Sequence, residues 1–332
     1  MTMRDFSCFR DAAVTTLPSS VAAGDAQHLD RSLQSATACV YRATLSSGKE
    51  LLVTVTWTRS LAVPGDAATG FSVAVEDAVP LAPPKLLPPS SAAKTAPTTP
   101  RRSTPLQAYK MQLQTKRRGA RSFATEGGTA VAVHWDTSDA RYPSPSSPEP
   151  SGGYHLAVVA DAELALLLGT ELPRRFAAAS TPCRPALLSR REQLRAPPTP
   201  TSAAVAHSTR CRFRDGGEEH EVTVCCRGDR RATASDESEV AVSVDGRTLV
   251  EARRVEWNFR GNRTAVLADG AVVEVMWDVH DWWFPTGAGA AQFMVKARGG
   301  DGGGLGVWMD EEMASKGHPP AGFFLHMQCY RR

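Results

Sequence analysis

The sequence predicts an all-β protein of two repeated antiparallel β-sandwich or barrel-like units, about eight strands each, with Pro-rich loops. Three observations predict it: short runs with an apolar residue at every second position, recurrence of those runs in the same order in both halves, and prolines collected between them. In the first half, Cys39-x-Tyr41 opens a strand, followed by Leu51–Trp57, Phe71–Val75, Val131–Trp135, Tyr154–Ala160 and Leu164–Leu168. The second half repeats the order with Cys211-x-Phe213, Val222-Thr223-Val224, Val240–Val244, Val273–Trp277, Ala291–Ala297 and Leu305–Met309. The last two runs in each half read as a hairpin, closed by a short turn in the first and by Gly299–Gly304 in the second. Helical periodicity is scarce; its best stretch, 161–168, reads equally well as a turn and a strand.

Repetition is the strongest signal. Residues 118–143 align without gaps onto 260–285, and ten of the 26 positions are identical, from Arg118/Arg260 and Gly119/Gly261 to Trp135/Trp277 and Asp136/Asp278. Ordinary composition would give roughly two such identities. The tryptophans at equivalent strand positions are expected in equivalent core sites. The glycine of Arg-Gly-x-Arg is expected to turn the chain with positive φ. The arginine before it is expected to face either the repeated aspartate or solvent.

Of 23 prolines, eight fall in 79–105, four in 143–150 and five in 181–203. Proline removes a backbone donor and so marks these stretches as loops or linkers. The resulting division is an N-terminal tail over 1–30, a first β repeat over 31–168 with a disordered insert at 79–105, a linker over 169–205, and a second repeat over 206–332.

The 332 residues carry a net charge of +3, too slight a bias for a dedicated nucleic-acid binder. No transmembrane segment is expected, because no apolar run reaches about 18 residues. The first 30 residues lack a secretory apolar stretch, and Thr2 stands where N-myristoylation needs glycine. A cytoplasmic or nuclear protein is expected. Seven cysteines, at 8, 39, 183, 211, 225, 226 and 329, contain no C-x-x-C pair and read as reduced thiols.

With these blocks laid out, the chain resembles a plant family known as domain of unknown function 868. The resemblance rests on Met3-Arg4-Asp5 with Cys8-Phe9, on Thr54-Val55-Thr56-Trp57-Thr58, Trp135-Asp136 and Leu166-Leu167-Leu168-Gly169. It continues through Trp257-x-Phe259-Arg260-Gly261-Asn262 and Val273-x-Val275-x-Trp277-Asp278-Val279-His280. It covers nearly the whole chain and implies no activity, cofactor or catalytic residue.

Three constellations bear on chemistry. Asp278, His280 and Asp281 form a low-ranked polar site, because the other repeat has Ser138 where His280 stands and the shared Trp, Asp and Asp suit a turn. Lys116, Arg117, Arg118 and Arg121, with Arg260 and Arg263 in the second repeat, are candidate anion or phosphate contacts. Trp282, Trp283 and Phe284 form either an interdomain wedge or an exposed contact patch. No G-x-S-x-G, P-loop or H-E-x-x-H is present, and no cofactor or metal is expected. The preferred function is a non-enzymatic β scaffold for another macromolecule, with an unidentified protein as partner. The alternative is docking on anionic lipid through the Arg/Lys loops and the Trp282-Trp283-Phe284 patch. An unrecognised enzyme ranks third.

Overall fold

Strand sequences such as Leu51-Leu52-Val53-Thr54-Val55-Thr56-Trp57 bury alternate side chains and pair backbone groups laterally, which commits the chain to sheets. The computed structural model describes residues 33–59, 69–78, 110–112, 117–144, 147–170, 185–195, 205–227, 239–253, 255, 258–284, 289–298 and 322–330. The tail at 1–30, the insert at 79–105, Lys116, Gly299–Gly304 and Leu305–Met309 lie outside the described residues.

The first unit is two four-stranded meanders. One contains β1 (Leu33–Thr44), β2 (Glu50–Arg59), β3 (Thr69–Asp77) and β4 (Lys110–Gln112). The other contains β5 (Arg118–Ala124), β6 (Ala130–Asp136), β7 (His155–Ala160) and β8 (Glu163–Gly169). Asp161 and Ala162 join β7 to β8 with φ of 46° and 68°, a two-residue turn whose twist matches a hairpin. Between the meanders lies one core, built from Leu51, Val53, Val55 and Trp57 against Val131, Val133, Trp135 and Leu156.

After β9 (Ala186–Arg195), the second unit repeats the plan. Its first meander holds β10 (Val205–Cys211), β11 (His220–Arg227), β12 (Glu239–Val244) and β13 (Arg247–Arg253). Its second holds β14 (Arg260–Val266), β15 (Val272–Asp278), β16 (Ala290–Ala297) and β17 (Phe324–Tyr330). The registers repeat as well: Arg118 opposes Asp136 and Gly119 opposes Trp135, as Arg260 opposes Asp278 and Gly261 opposes Trp277. The partner of β16 is Phe324–Tyr330, where the sequence suggested Leu305–Met309; a period of two cannot choose between two apolar runs of similar length.

The stretch expected to be a linker, 169–205, contains β9, and β9 is the strand that joins the units. It pairs antiparallel with β1 and parallel with β17, producing a nine-stranded sheet in the order β14-β15-β16-β17-β9-β1-β2-β3-β4. Prolines at 185 and 197 bound the strand instead of excluding it. Its alternation is obscured because Leu188 bulges out of register with β1, so Leu187, Arg190, Glu192 and Leu194 share one face. Leu194 and Leu187 pack with the second unit, whose core includes Val222, Val273, Phe293 and Met327.

Candidate functional site at the junction of the two units

The repeated arginines lie on exposed edge strands. Arg118 and Arg121 are on β5, at the edge of a four-stranded sheet, and Arg260 and Arg263 are on β14, at one edge of the nine-stranded sheet. Arg118 Nε donates to Asp136 Oδ2 at 2.6 Å and Arg260 Nε to Asp278 Oδ2 at 2.7 Å, so both repeats use the aspartate that follows their tryptophan. Arg263 donates to the Leu249 carbonyl, and Arg117 is exposed. Charged residues on an open edge oppose edge-to-edge association. With side chains 77% and 60% exposed, the Arg118 and Arg260 pairs are weak. Arg118→Ala and Arg260→Ala should each change stability by no more than about 1 kcal/mol in urea titration.

The glycine that faces each of these tryptophans has a different role from the one expected. Gly119 and Gly261 sit within strands without positive φ, and a Cβ at either would clash with the indole ring of Trp135 or Trp277. Within the two aligned segments, positive φ is found instead at Gly128 and Gly270, in the following turns, with φ of 81° and 80°. Trp135 is buried, whereas Trp277 is only partly buried and donates from Nε1 to the Asn258 carbonyl.

Trp282 and Trp283, 1% and 7% exposed, are packed in the second unit's own core and Phe284 lies against it. They lie in the single helical turn α1 (His280–Trp283), which rotates both rings inward. Neither an exposed patch nor a wedge between the units is formed. Asp278 is consumed by Arg260 and by the His280 amide, His280 Nδ1 contacts Asp281 Oδ1 at 2.9 Å, and the imidazole stacks among Phe259 and Phe284. These groups hold a turn. Among the described residues, no group of three or more His, Cys, Asp or Glu is placed to hold a metal ion.

The junction holds the chemistry that the sequence reading did not find. On the face shared by β1 and β9, between the two apolar cores, Glu192 is fully buried with a carboxylate that receives three contacts. Arg190 Nε donates to Oε1 at 2.5 Å, Thr209 Oγ1 to Oε1 at 2.7 Å, and His207 Nε2 lies 2.6 Å from Oε2. Arg190 also reaches Glu149 of the first unit at 2.7 Å and Cys39 Sγ at 3.7 Å. Burial alone would raise the Glu192 pKa; Arg190, His207 and Thr209 overcome it and hold the carboxyl at about 2. Burial pushes the Cys39 thiol up to about 11 and the Cys211 thiol to about 12, which makes both inert as nucleophiles.

Above this network opens a cleft of about 710 Å³, lined from both sides of the junction. Arg42 comes from β1, Arg190 from β9, Arg210, Arg212 and Arg214 from the end of β10 and its following turn, and Arg298 from the end of β16. Among the described residues of the lining, two acids, Asp215 and Glu219, stand against these six arginines, and there is no lysine. Alternation explains the middle three: Cys211 and Phe213 are buried, which turns Arg210, Arg212 and Arg214 outward. The lining also includes the apolar residues Leu187, Phe213, Ala271 and Phe323. Arg190 is answered by Glu149 and Glu192, and Arg214 donates to the Asp269 carbonyl. Arg42, Arg210, Arg212 and Arg298 have no carboxylate partner among the described residues.

One wall of the cleft rests on a histidine clasp. His220, beside Glu219, is buried, contacts Asp245 Oδ2 through Nδ1 at 2.7 Å and has Nε2 3.4 Å from Asp269 Oδ2. The first unit closes the equivalent end with Asp77, which accepts from Thr129 and the Gly127 amide and pairs with Lys49. Burial would lower the His220 pKa, but the two carboxylates raise it, while those of Asp245 and Asp269 are lowered. A raised histidine stabilises fully below its unfolded value of about 6.5 and ceases to do so as pH rises through the folded value. The lowered aspartates stabilise above their unfolded value of about 3.9. Between pH ~4 and ~6.5 the clasp is complete, and His220→Asn should flatten the decline of melting temperature above that window.

Among the described residues no helix is long and apolar enough to cross a membrane. No curated protein matches the sequence. A solved structure, kievitone hydratase from Nectria haematococca, aligns with 80% of this chain and 85% of its own at 8% identity and a TM-score of 0.27, a likeness that carries no argument about fold or activity. The family described as plant protein of unknown function (DUF868) matches residues 32–325, and the chain belongs to that family.

Proposed function

We propose that this chain is a non-enzymatic β scaffold that binds another macromolecule, holding an anionic part of that partner in the arginine-lined cleft at the junction. The carrying observation is the excess of arginine over acid among the described residues that line the cleft, four of those arginines lacking a carboxylate partner among them. Charges left unpaired around a concave surface attract opposite charge and speed encounter. The nine-stranded sheet and the Glu192 network give the cleft walls fixed positions, which favours binding by limiting the ordering required. The membrane alternative needs an aromatic patch to insert, and burial of Trp282 and Trp283 removes it.

The test is retention of an acidic polypeptide, polyglutamate, as salt is raised. The wild type should release it steeply between about 0.05 and 0.3 M salt. Arg210→Glu with Arg212→Glu should abolish retention, while Arg118→Glu with Arg121→Glu should leave it intact. Loss in the edge-strand variant alone would transfer the site to β5 and overturn this reading.

A further inference from the structure

Resting on that reading, we infer that the anionic group is a phosphate, carried on a side chain of a protein segment that enters the cleft. Among the described residues that line it, every basic one is an arginine, and the guanidinium fork matches phosphate and carboxylate oxygens two at a time. The number of arginines decides between those two. A carboxylate has one charge and is filled by one fork, whereas a phosphorylated side chain carries about −1.5 to −2 and three acceptor oxygens. Arg42, Arg210, Arg212 and Arg298, with Arg214 beside them, exceed what a single carboxylate needs.

The arginines gather around one cleft of about 710 Å³ instead of forming a track, and the chain's net charge is only +3. A nucleic-acid backbone would call for a longer basic stripe. A membrane headgroup calls for exposed apolar side chains beside the cations; the one large hydrophobic residue exposed among those described is Val266, on β14. The cleft lining also includes apolar side chains, Leu187, Phe213 and Phe323, against which a residue next to the phosphorylated one would be covered.

The experiment is fluorescence polarisation with three labelled peptide libraries, degenerate around a fixed phosphoserine, serine or glutamate. The phosphoserine library should bind at least about tenfold more tightly than either of the others. Arg210→Ala with Arg212→Ala should lose that preference with an unchanged melting curve, and Arg118→Ala with Arg121→Ala should keep it. Arg212→Lys keeps the charge without the fork and should weaken the phosphoserine library selectively, which covers the case in which the double variant does not fold. Equal binding of glutamate and phosphoserine libraries overturns the phosphate assignment and leaves the anionic-partner reading standing. No binding of any library, together with no retention of polyglutamate, overturns both. Inorganic pyrophosphate or phosphoinositide vesicles bound in place of the peptides would overturn the protein source in favour of a free phosphate or a lipid.

Discussion

Glu192→Ala should destabilise the protein by about 3–5 kcal/mol, the range for removing one partner of a buried ion pair. Arg190 would keep Glu149 but lose its nearer carboxylate, while His207 and Thr209 would lose their acceptor at a site where Glu192 itself is fully buried. Glu192→Gln retains the volume and one acceptor, yet turns an amide N–H₂ toward a donor, so its effect should be smaller and still above about 1 kcal/mol. The network crosses from the first unit through β9 to β10. Its loss should therefore also uncouple the halves, and urea unfolding should pass from one transition to two. A loss below about 1 kcal/mol for Glu192→Ala would mean that water reaches the carboxylate.

The same residue sets an acid limit. Its folded pKa of about 2 lies below the unfolded value of about 4.3. A lowered carboxyl contributes fully above the unfolded value, and its contribution disappears as pH falls toward the folded one. Between pH ~5 and ~2 the wild type should lose stability more steeply than Glu192→Gln.

The strand pattern of both halves was legible because period two survives wherever one face is buried and the other is wet, as in Val131–Trp135 and Val240–Val244. The internal match was legible because Arg-Gly-x-Arg and Trp-Asp are tied to each other across one strand pair, so they recur together. β9 was hidden for the opposite reason: a bulge and neighbours on both edges erase its alternation, and flanking prolines imitate a linker. The cleft was hidden because Arg42, Arg210 and Arg298 are distant in sequence and meet only through β9. One local signal existed, since Arg210-x-Arg212-x-Arg214 interleaves with the buried Cys211 and Phe213. The three consecutive aromatics misled because a strand-end loop was expected where the chain makes one helical turn.

Trp135→Ala should lose about 3–5 kcal/mol, the usual range for emptying a large buried aromatic site. The indole is buried, meets Phe71 edge-on at 6.0 Å and lies across the β5–β6 pair on Gly119. Trp277→Ala should lose less, because that ring is only partly buried. The glycine supplies the sharper test. In Gly119→Ala the new methyl would occupy space held by a rigid ring, and such overpacking costs about 1–3 kcal/mol. In a Trp135→Leu background that obstacle is gone, and alanine in a strand should be neutral or better, since glycine loses more backbone freedom on folding. The two substitutions should therefore be coupled by at least about 1 kcal/mol in a double-mutant cycle, measured by chemical denaturation. Additive effects would show that Gly119 does not seat the ring, and that the shared Gly and Trp of the two repeats were retained independently.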